Sequence, residues 1–239
     1  AARGRDRRLW PTVGIVGYTN AGKSTLLNTL VGSEVAMAAD MLFATLDPTL
    51  RAIDLPLGNR IILSDTVGFI SDLPTMLVAA FRATLEEVIE ADVILHVRDM
   101  SHEDAGAQSR DVEKVLGELG IEPADKRLIE VWNKIDRLDA DGRAQLLNLA
   151  ERQPLDRRPL PVSALSGEGV ERLVAAIEAR LGESRQTIEL AIDPADGAGL
   201  SWLYRHSEVL SKGMRDDGRL GVTVRADADK VARVRAKFG

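Results

Sequence analysis

Short runs of β-branched and other apolar residues alternate along the chain with stretches in which apolar residues recur at helical spacing. Phe81, Leu85 and Val88 fall at i, i+4 and i+7, and residues 112–119 carry a second apolar stripe of this kind. Strands that alternate with helices are typical of an α/β fold with a mostly parallel sheet and helices on both faces. The runs predict strands at residues 12–16, 61–63, 93–97, 128–131 and 160–162.

One connection departs from this alternation. Residues 50–55 and 60–63 both have strand character, but only a short turn with Gly58 and Asn59 separates them. Such a turn is too short for a parallel crossover, so the two strands must be antiparallel. The sequence therefore predicts a mostly parallel six-stranded sheet with one antiparallel strand.

The chain divides into three predicted parts. Residues 1–10 form a basic linker, residues 11–182 form the α/β domain, and residues 186–239 form a small α+β domain after a linker at 182–185. The predicted order of this last domain is βαβα, with strands at 187–192 and 219–225 and helices at 200–210 and 227–237.

The composition excludes several classes of function. The 239 residues contain no cysteine, which excludes disulfides, thiolate metal sites and a cysteine nucleophile. A net charge of −6 argues against an overall basic surface that coats nucleic acid, and leaves room for a local basic patch. No apolar run reaches the roughly 18 to 20 residues of a membrane-spanning helix. We therefore expect a soluble protein, and we also expect it to be cytoplasmic and monomeric.

The loop after the first predicted strand carries the most specific motif. Residues 17–24 fit GxxxxGK[ST], with a strand before them and a helix predicted at 24–30. In this arrangement backbone N–H groups surround a polyphosphate, Lys23 reaches the β- and γ-phosphates, and the Ser24 hydroxyl binds Mg2+. The predicted nucleotide contacts in this segment are Gly17, Tyr18, Thr19, Asn20, Ala21, Gly22, Lys23, Ser24 and Thr25.

Three shorter motifs follow predicted strands. Residues 65–68 match DxxG, in which Asp65 holds a Mg2+-bound water and the Gly68 N–H meets the γ-phosphate. Residues 133–136 match NKxD, and the Asp136 carboxylate can accept two hydrogen bonds from the N1–H and 2-amino group of guanine, which adenine lacks. Four motifs in this order, each at the carboxyl end of a strand, predict a P-loop GTPase fold that binds GTP or GDP. The remaining predicted nucleotide contacts are Asn133 and Lys134 of NKxD, and Ser163 and Ala164 of a short turn that reads guanine O6.

The sequence resembles the HflX family of ribosome-associated GTPases. The resemblance rests on residues 13–30, on Leu-Phe-Ala-Thr-Leu-Asp-Pro-Thr at 42–49, and on residues 65–70 and 80–87, while residues 201–204 are similar to the family's C-terminal domain. It implies a GTP-hydrolysing switch that binds the large ribosomal subunit and takes part in ribosome splitting or rescue under stress. It also implies an N-terminal domain ahead of a junction similar to residues 1–8, and these 239 residues do not include such a domain.

The resemblance further implies catalytic roles for Lys23, Thr45, Gly68 and Asn20. Thr45 matches a switch threonine that binds Mg2+ together with Ser24 and Asp65; nearby Thr49, or a hydroxyl that only caps a strand, is the alternative. Residue 69 is a phenylalanine where many GTPases have a glutamine that orients the attacking water, so slow intrinsic hydrolysis is expected. Asn20 matches an asparagine that holds K+ beside the phosphates, and the alternative is that it only caps its own loop.

Two other functions remain open from the sequence. One is a nucleotide-sensing binding module with negligible hydrolysis, which the phenylalanine at position 69 permits. The other is a GTPase of ribosome assembly or tRNA modification, which shares the P-loop but which the segments at 42–49 and 80–87 disfavour.

Overall fold

The computed structural model of the protein describes residues 10–32, 50–65, 85–183 and 185–238. The chain separates into two compact units, Ala1–Glu178 and Ala179–Gly239. The helices that begin in the first unit are α1 (Lys23–Gly32), α2 (Ala105–Glu118), α3 (Ala140–Glu151) and α4 (Val170–Glu183), and residues 85–89 are also helical. The strands of this unit are β1 (Thr12–Gly17), β2 (Leu50–Asp54), β3 (Arg60–Asp65), β4 (Val93–Asp99), β5 (Leu128–Asn133) and β6 (Leu160–Pro161).

Within the described residues of the first unit, six strands form one sheet in the order β2-β3-β1-β4-β5-β6. Strand β1 pairs in parallel with β3 and β4, and β5 continues the parallel arrangement on the far side of β4. Strand β2 pairs antiparallel with β3 through a turn in which Gly58 has a φ of 85°. The predicted P-loop GTPase fold, with its single reversed strand, is confirmed.

The middle of the sheet is buried on both faces. Every residue of β1 is buried, and so is every residue of β4 except Arg98. A parallel sheet covered on both faces needs apolar residues at nearly every strand position, which explains the continuous apolar runs in the sequence. On one face, α2 and the helical segment 85–89 pack against this centre through Val88, Val112 and Leu116.

Gly17 allows the close approach that begins the first functional loop. A Cβ atom on this residue would overlap with the carbonyl oxygen of Val97 in the neighbouring strand β4. Only glycine lets β1 stay paired with β4 up to its last residue, where Gly17 lies opposite Val97. The loop that follows therefore leaves the sheet at its carboxyl edge.

The second unit differs from its predicted order. It contains β7 (Arg185–Ile192), α5 (Gly197–His206), β8 (Glu208–Met214), β9 (Leu220–Asp227) and α6 (Ala228–Phe238), which is βαββα rather than βαβα. The helix predicted at 200–210 is wrong beyond His206, because residues 208–214 form an antiparallel edge strand on β9. This strand is exposed at six of its seven positions, so it lacks the alternation that identifies a half-buried strand. Asp217 and Gly218 lie in the hairpin turn between β8 and β9, and Gly218 has a φ of 77°. This Asp-Gly pair was the sequence signal for a strand at residues 208–214.

In the described part of the chain, no helix has the length and apolar character needed to cross a membrane.

Candidate functional site

The loops that carry the sequence motifs meet at the carboxyl edge of the six-stranded sheet. Strands β1, β4, β5 and β6 are parallel neighbours in the pairs β1–β4, β4–β5 and β5–β6, so their carboxyl ends point the same way. The loop 17–24 follows β1, the NKxD loop follows β5, and the turn with Ser163 and Ala164 follows β6. Ligands of open α/β sheets bind at this edge.

The loop 17–24 encloses the amino end of α1. Two of its residues have a positive φ, Asn20 at 64° and Gly22 at 96°, so the chain reverses tightly within a few residues. The Ala21 N–H donates to the Tyr18 carbonyl oxygen at 3.1 Å, and helical hydrogen bonding begins with the Leu26 N–H donating to Gly22 at 2.9 Å. The backbone N–H groups at the start of a helix and the positive end of the helix dipole favour a phosphate at this position.

Lys23 is largely buried, with 7% of its surface exposed, at the first position of α1. Its Nζ donates to the Tyr18 carbonyl oxygen at 3.3 Å, so the ammonium group bends back over the loop. Ser24 and Thr25 follow and are exposed at the same end of the helix. This end of α1 can therefore present one positive charge and two hydroxyls to a polyphosphate.

Asn133 joins the phosphate-binding loop to the loops expected to read the base. Its side chain is buried, with 1% exposed. The Nδ2 atom donates to the carbonyl oxygen of Ala21 at 2.9 Å, and Oδ1 accepts from the Ala164 N–H at 3.0 Å. One amide therefore fixes three loops in a single arrangement.

Lys134 makes a second connection to the phosphate-binding loop. It has a left-handed backbone conformation, with φ 67° and ψ 33°. Its Nζ donates to the carbonyl oxygen of Asn20 at 2.6 Å and to Asp99 Oδ2 at 2.7 Å. Asp136 follows in a short 3-10 turn and is exposed, which leaves its carboxylate free to meet a guanine base.

The turn after β6 is held in place from two sides. The Thr29 hydroxyl of α1 donates to the carbonyl oxygen of Ala164 at 2.5 Å, and the Ile135 N–H donates to Val162 at 3.3 Å. Ser163 and Ala164 are both buried. The residues predicted from GxxxxGK[ST], NKxD and this turn therefore lie together at one edge.

Two of the predicted residues, Thr45 and Gly68, lie outside the described residues, as do Thr49 and Phe69. For Asp65 the backbone is described. It ends β3 and lies opposite Ile15 of β1, one strand away from the phosphate-binding loop.

Sequence reasoning missed Asp99, the last residue of β4. Burial by itself disfavours the charged form of this carboxylate, but hydrogen bonds from Lys134 and Ser101 outweigh it and hold the pKa of Asp99 below its usual range. Asp99 is therefore a carboxylate at neutral pH and a charge partner for Lys134. The spacing Asp-Met-Ser at a strand end, which is typical of an Asx turn, was the available signal.

Comparisons with known families and proteins give a consistent assignment. Residues 12–134 match the family described as 50S ribosome-binding GTPase, and residues 148–239 match the HflX C-terminal domain. The chain is 47% identical over 199 residues to GTPase HflX of Magnetococcus marinus, which is 83% of this chain and 44% of that protein. It is 40% identical over 214 residues to GTPase HflX of Lacrimispora saccharolytica, which is 90% of this chain and 48% of that protein. The chain thus spans less than half the length of these two relatives.

A solved structure with a similar fold is that of a GTP-binding protein from the archaeon Sulfolobus solfataricus in complex with GDP. The match has a TM-score of 0.55 and 29% sequence identity, and covers 72% of this chain and 53% of that one.

Proposed function

This chain belongs to the HflX family of GTPases, and from that membership we propose that it binds GTP at the carboxyl edge of its six-stranded sheet. It hydrolyses GTP to GDP and phosphate, and in its GTP-bound state it engages the large ribosomal subunit. The observation that carries the proposal is the buried Asn133 side chain, which bonds to both Ala21 and Ala164. A phosphate loop and two base-reading loops joined in this way form a cradle for a guanine nucleotide.

We propose a role for each group of residues at this edge. The N–H groups of the loop 17–24 and of the first turn of α1 surround the phosphates. The Lys23 ammonium exchanges its bond to the Tyr18 carbonyl for the β- and γ-phosphates. In this proposal the exposed Asp136 carboxylate accepts the guanine N1–H and 2-amino hydrogens, and the turn with Ser163 and Ala164 meets guanine O6. Thr45 and Gly68 are proposed to cover the γ-phosphate.

The oxygen donors at this edge fit Mg2+. The Ser24 hydroxyl is exposed at the start of α1, and the backbone of Asp65 ends the strand next to β1. Hydroxyl, carboxylate-bound water and phosphate oxygens are the hard ligands that Mg2+ prefers. Bound Mg2+ would neutralise charge on the β- and γ-phosphates, with Ser24, Thr45 and, through water, Asp65 as its protein ligands.

The proposed partner is the large ribosomal subunit, through its rRNA and ribosomal proteins. Support comes from the match of residues 12–134 to a family described as 50S ribosome-binding GTPase. The cellular role we propose is ribosome splitting or rescue under stress, which rests on the resemblance to the HflX family.

The first test measures multiple-turnover release of phosphate from GTP, with and without purified large subunits. The second measures cosedimentation of the protein with large subunits in the presence of a GTP analogue or of GDP. We expect slow release that large subunits accelerate, and cosedimentation that is stronger with the analogue. Lys23→Ala serves as the inactive control, because it removes the phosphate-binding ammonium. GTP binding without any release, with or without subunits, would instead indicate a nucleotide-sensing module.

A further inference from the structure

Asp99 lies beside the proposed nucleotide site, although none of the sequence motifs includes it. It ends β4, and its backbone lies opposite Asn133 in the neighbouring strand β5. Its side chain is largely buried, with 8% exposed. Oδ2 accepts from Lys134 Nζ at 2.7 Å, so one carboxylate oxygen is committed to the lysine of NKxD.

The other oxygen of Asp99 has a separate partner. Oδ1 accepts from the Ser101 N–H at 3.0 Å and from the Ser101 hydroxyl at 2.6 Å. These two bonds fix the plane of the carboxylate, so that Oδ2 keeps its direction toward Lys134. Asp99 is therefore a preorganised acceptor, and its pairing with Lys134 differs from a variable ion pair between exposed side chains.

Lys134 needs such an acceptor. A lysine side chain has four rotatable bonds and loses much conformational entropy when its ammonium is held at one point. Here the ammonium bridges Asp99 Oδ2 and the carbonyl oxygen of Asn20, in the phosphate-binding loop. One acceptor is the last residue of β4, the other lies in the loop after β1, and the donor follows β5.

We propose that Asp99 is a positioning residue for nucleotide binding, which acts by holding the Lys134 ammonium against the Asn20 carbonyl and so keeps the phosphate-binding loop in shape before the nucleotide arrives. The inference rests on the proposed function, since it concerns the same site. GDP and GTP share the base, the ribose and two phosphates, so loss of Asp99 weakens the binding of both by the same factor.

The experiment is a double-mutant cycle on the full chain, with GDP and a non-hydrolysable GTP analogue as ligands. The variants are Asp99→Ala, Lys134→Ala and the two combined. We expect Asp99→Ala to raise both dissociation constants about tenfold, which is the effect of one charge-assisted hydrogen bond. Because Asp99 acts through Lys134, adding Asp99→Ala to Lys134→Ala should change the dissociation constants less than twofold. The proposal would be overturned if the dissociation constants of the double variant rose by the product of the two single-variant factors.

A matched control separates this role from general stability. Asp125→Ala also removes an ion pair, since Asp125 Oδ2 lies 2.7 Å from Arg127 Nη2, but this pair precedes β5 at the opposite edge of the sheet. We expect this control to leave GDP affinity unchanged within twofold. An equal loss of affinity in Asp99→Ala and Asp125→Ala would show that Asp99 contributes only to folding.

A second variant keeps the test informative if Asp99→Ala fails to fold. Asp99→Asn preserves the shape of the side chain and removes its negative charge. Its nucleotide affinity should fall between that of the unmodified chain and that of Asp99→Ala. If the unmodified chain binds GDP and both Asp99→Asn and Asp99→Ala bind it equally well, the role of Asp99 is contradicted and the proposed function is not. Failure of the unmodified chain to bind GDP contradicts the proposed function itself.

Discussion

Asn133 and Ala21 lie 112 positions apart in the chain and are joined by a buried hydrogen bond of 2.9 Å, from Asn133 Nδ2 to the carbonyl oxygen of Ala21. The same amide accepts the Ala164 N–H through Oδ1. Both bonds lie at the carboxyl edge of the sheet, where the phosphate-binding loop and the base-reading loops meet. Because these loops are fixed before the ligand arrives, less conformational entropy is lost when the ligand binds.

Replacing Asn133 by alanine should weaken both the fold and the site. The Ala21 carbonyl oxygen and the Ala164 N–H both lose a buried partner, and each such loss costs about 1 to 3 kcal/mol. We expect the free energy of unfolding to fall by roughly 2 kcal/mol or more, and GDP affinity to fall at least tenfold. Urea denaturation and GDP titration measure the two effects. Asn148→Ala, on the exposed surface of α3, is the control, and equal results for both variants would contradict a linking role for Asn133.

Gly22→Ala should disrupt the phosphate-binding loop. Gly22 has a φ of 96°, and an added Cβ would overlap with Asn133 Nδ2. The strained backbone alone costs on the order of 1 to 3 kcal/mol, and the displaced amide adds to it. We expect nucleotide affinity to fall more than tenfold in fluorescence titrations. Gly32→Ala is the matched control, because its Cβ would meet open space at the end of α1; a loss of affinity in both would indicate a nonspecific effect.

Asp136→Asn should change the preferred base. Each hydrogen bond from guanine to the carboxylate contributes about 1.5 to 3 kcal/mol, so GTP affinity should fall about a hundredfold or more, while xanthosine nucleotides gain. The unmodified chain should bind ATP at least about a hundredfold more weakly than GTP for the same reason. Competition binding with GTP, xanthosine triphosphate and ATP gives the measurement, and Asp141→Asn in the first turn of α3 controls for loss of surface charge. Equal affinity of the unmodified chain for ATP and GTP would refute guanine recognition by Asp136.

His96 should make stability depend on pH. It is buried in β4 with 2% exposed, and burial, helped by Arg98 and opposed by Glu130, lowers its pKa from 6.5 to about 4. The unfolded chain takes up this proton first as the pH falls below 6.5, so stability is lost between pH 6.5 and 4. The loss reaches roughly 3 kcal/mol at the acid end, from about 1.4 kcal/mol per pKa unit.

Urea denaturation at several pH values between 7.5 and 4.5 tests this effect. His96→Leu should flatten the pH dependence, because it removes the group that binds the extra proton on unfolding. His102→Gln, at an exposed position, should leave the profile unchanged. A profile of His96→Leu as steep as that of the unmodified chain would mean that other groups cause the loss.

The use of K+ can be tested through Asn20. Positive charge near the β- and γ-phosphates stabilises the transition state of hydrolysis, and a K+ ion held by the Asn20 side chain would supply it. Exchange of Na+ for K+ at constant ionic strength should then raise turnover, and Asn20→Ala should abolish the difference. Asn20→Gly is the sharper variant, because glycine tolerates the φ of 64° while removing the same side chain. Equal rates in Na+ and K+, with and without large subunits, would exclude the ion.

The sequence alone determined the strands and the motifs of the first unit, because each depends on neighbours within a few positions. Short apolar runs predicted β1, β3, β4, β5 and β6, and the short turn with Gly58 required β2 to run antiparallel. The loop 17–24 and the residues at 133–136 were recognisable for the same reason, since fixed spacing on one loop is a local property. Placing these loops at one edge needed only the rule that parallel strands share their direction.

Tertiary structure alone decided which side chains pair and what an exposed segment becomes. The bonds of Asn133 to Ala21 and of Lys134 to Asp99 join residues that are close in space but distant in the chain, and no local pattern encodes such a pair. Strand β8 was mistaken for the end of a helix because both of its faces are exposed. Its sequence therefore lacks the alternation of apolar and polar residues that identifies a half-buried strand. Its extended conformation is instead stabilised by backbone hydrogen bonds to β9, which come from the main chain and leave no pattern in the side chains.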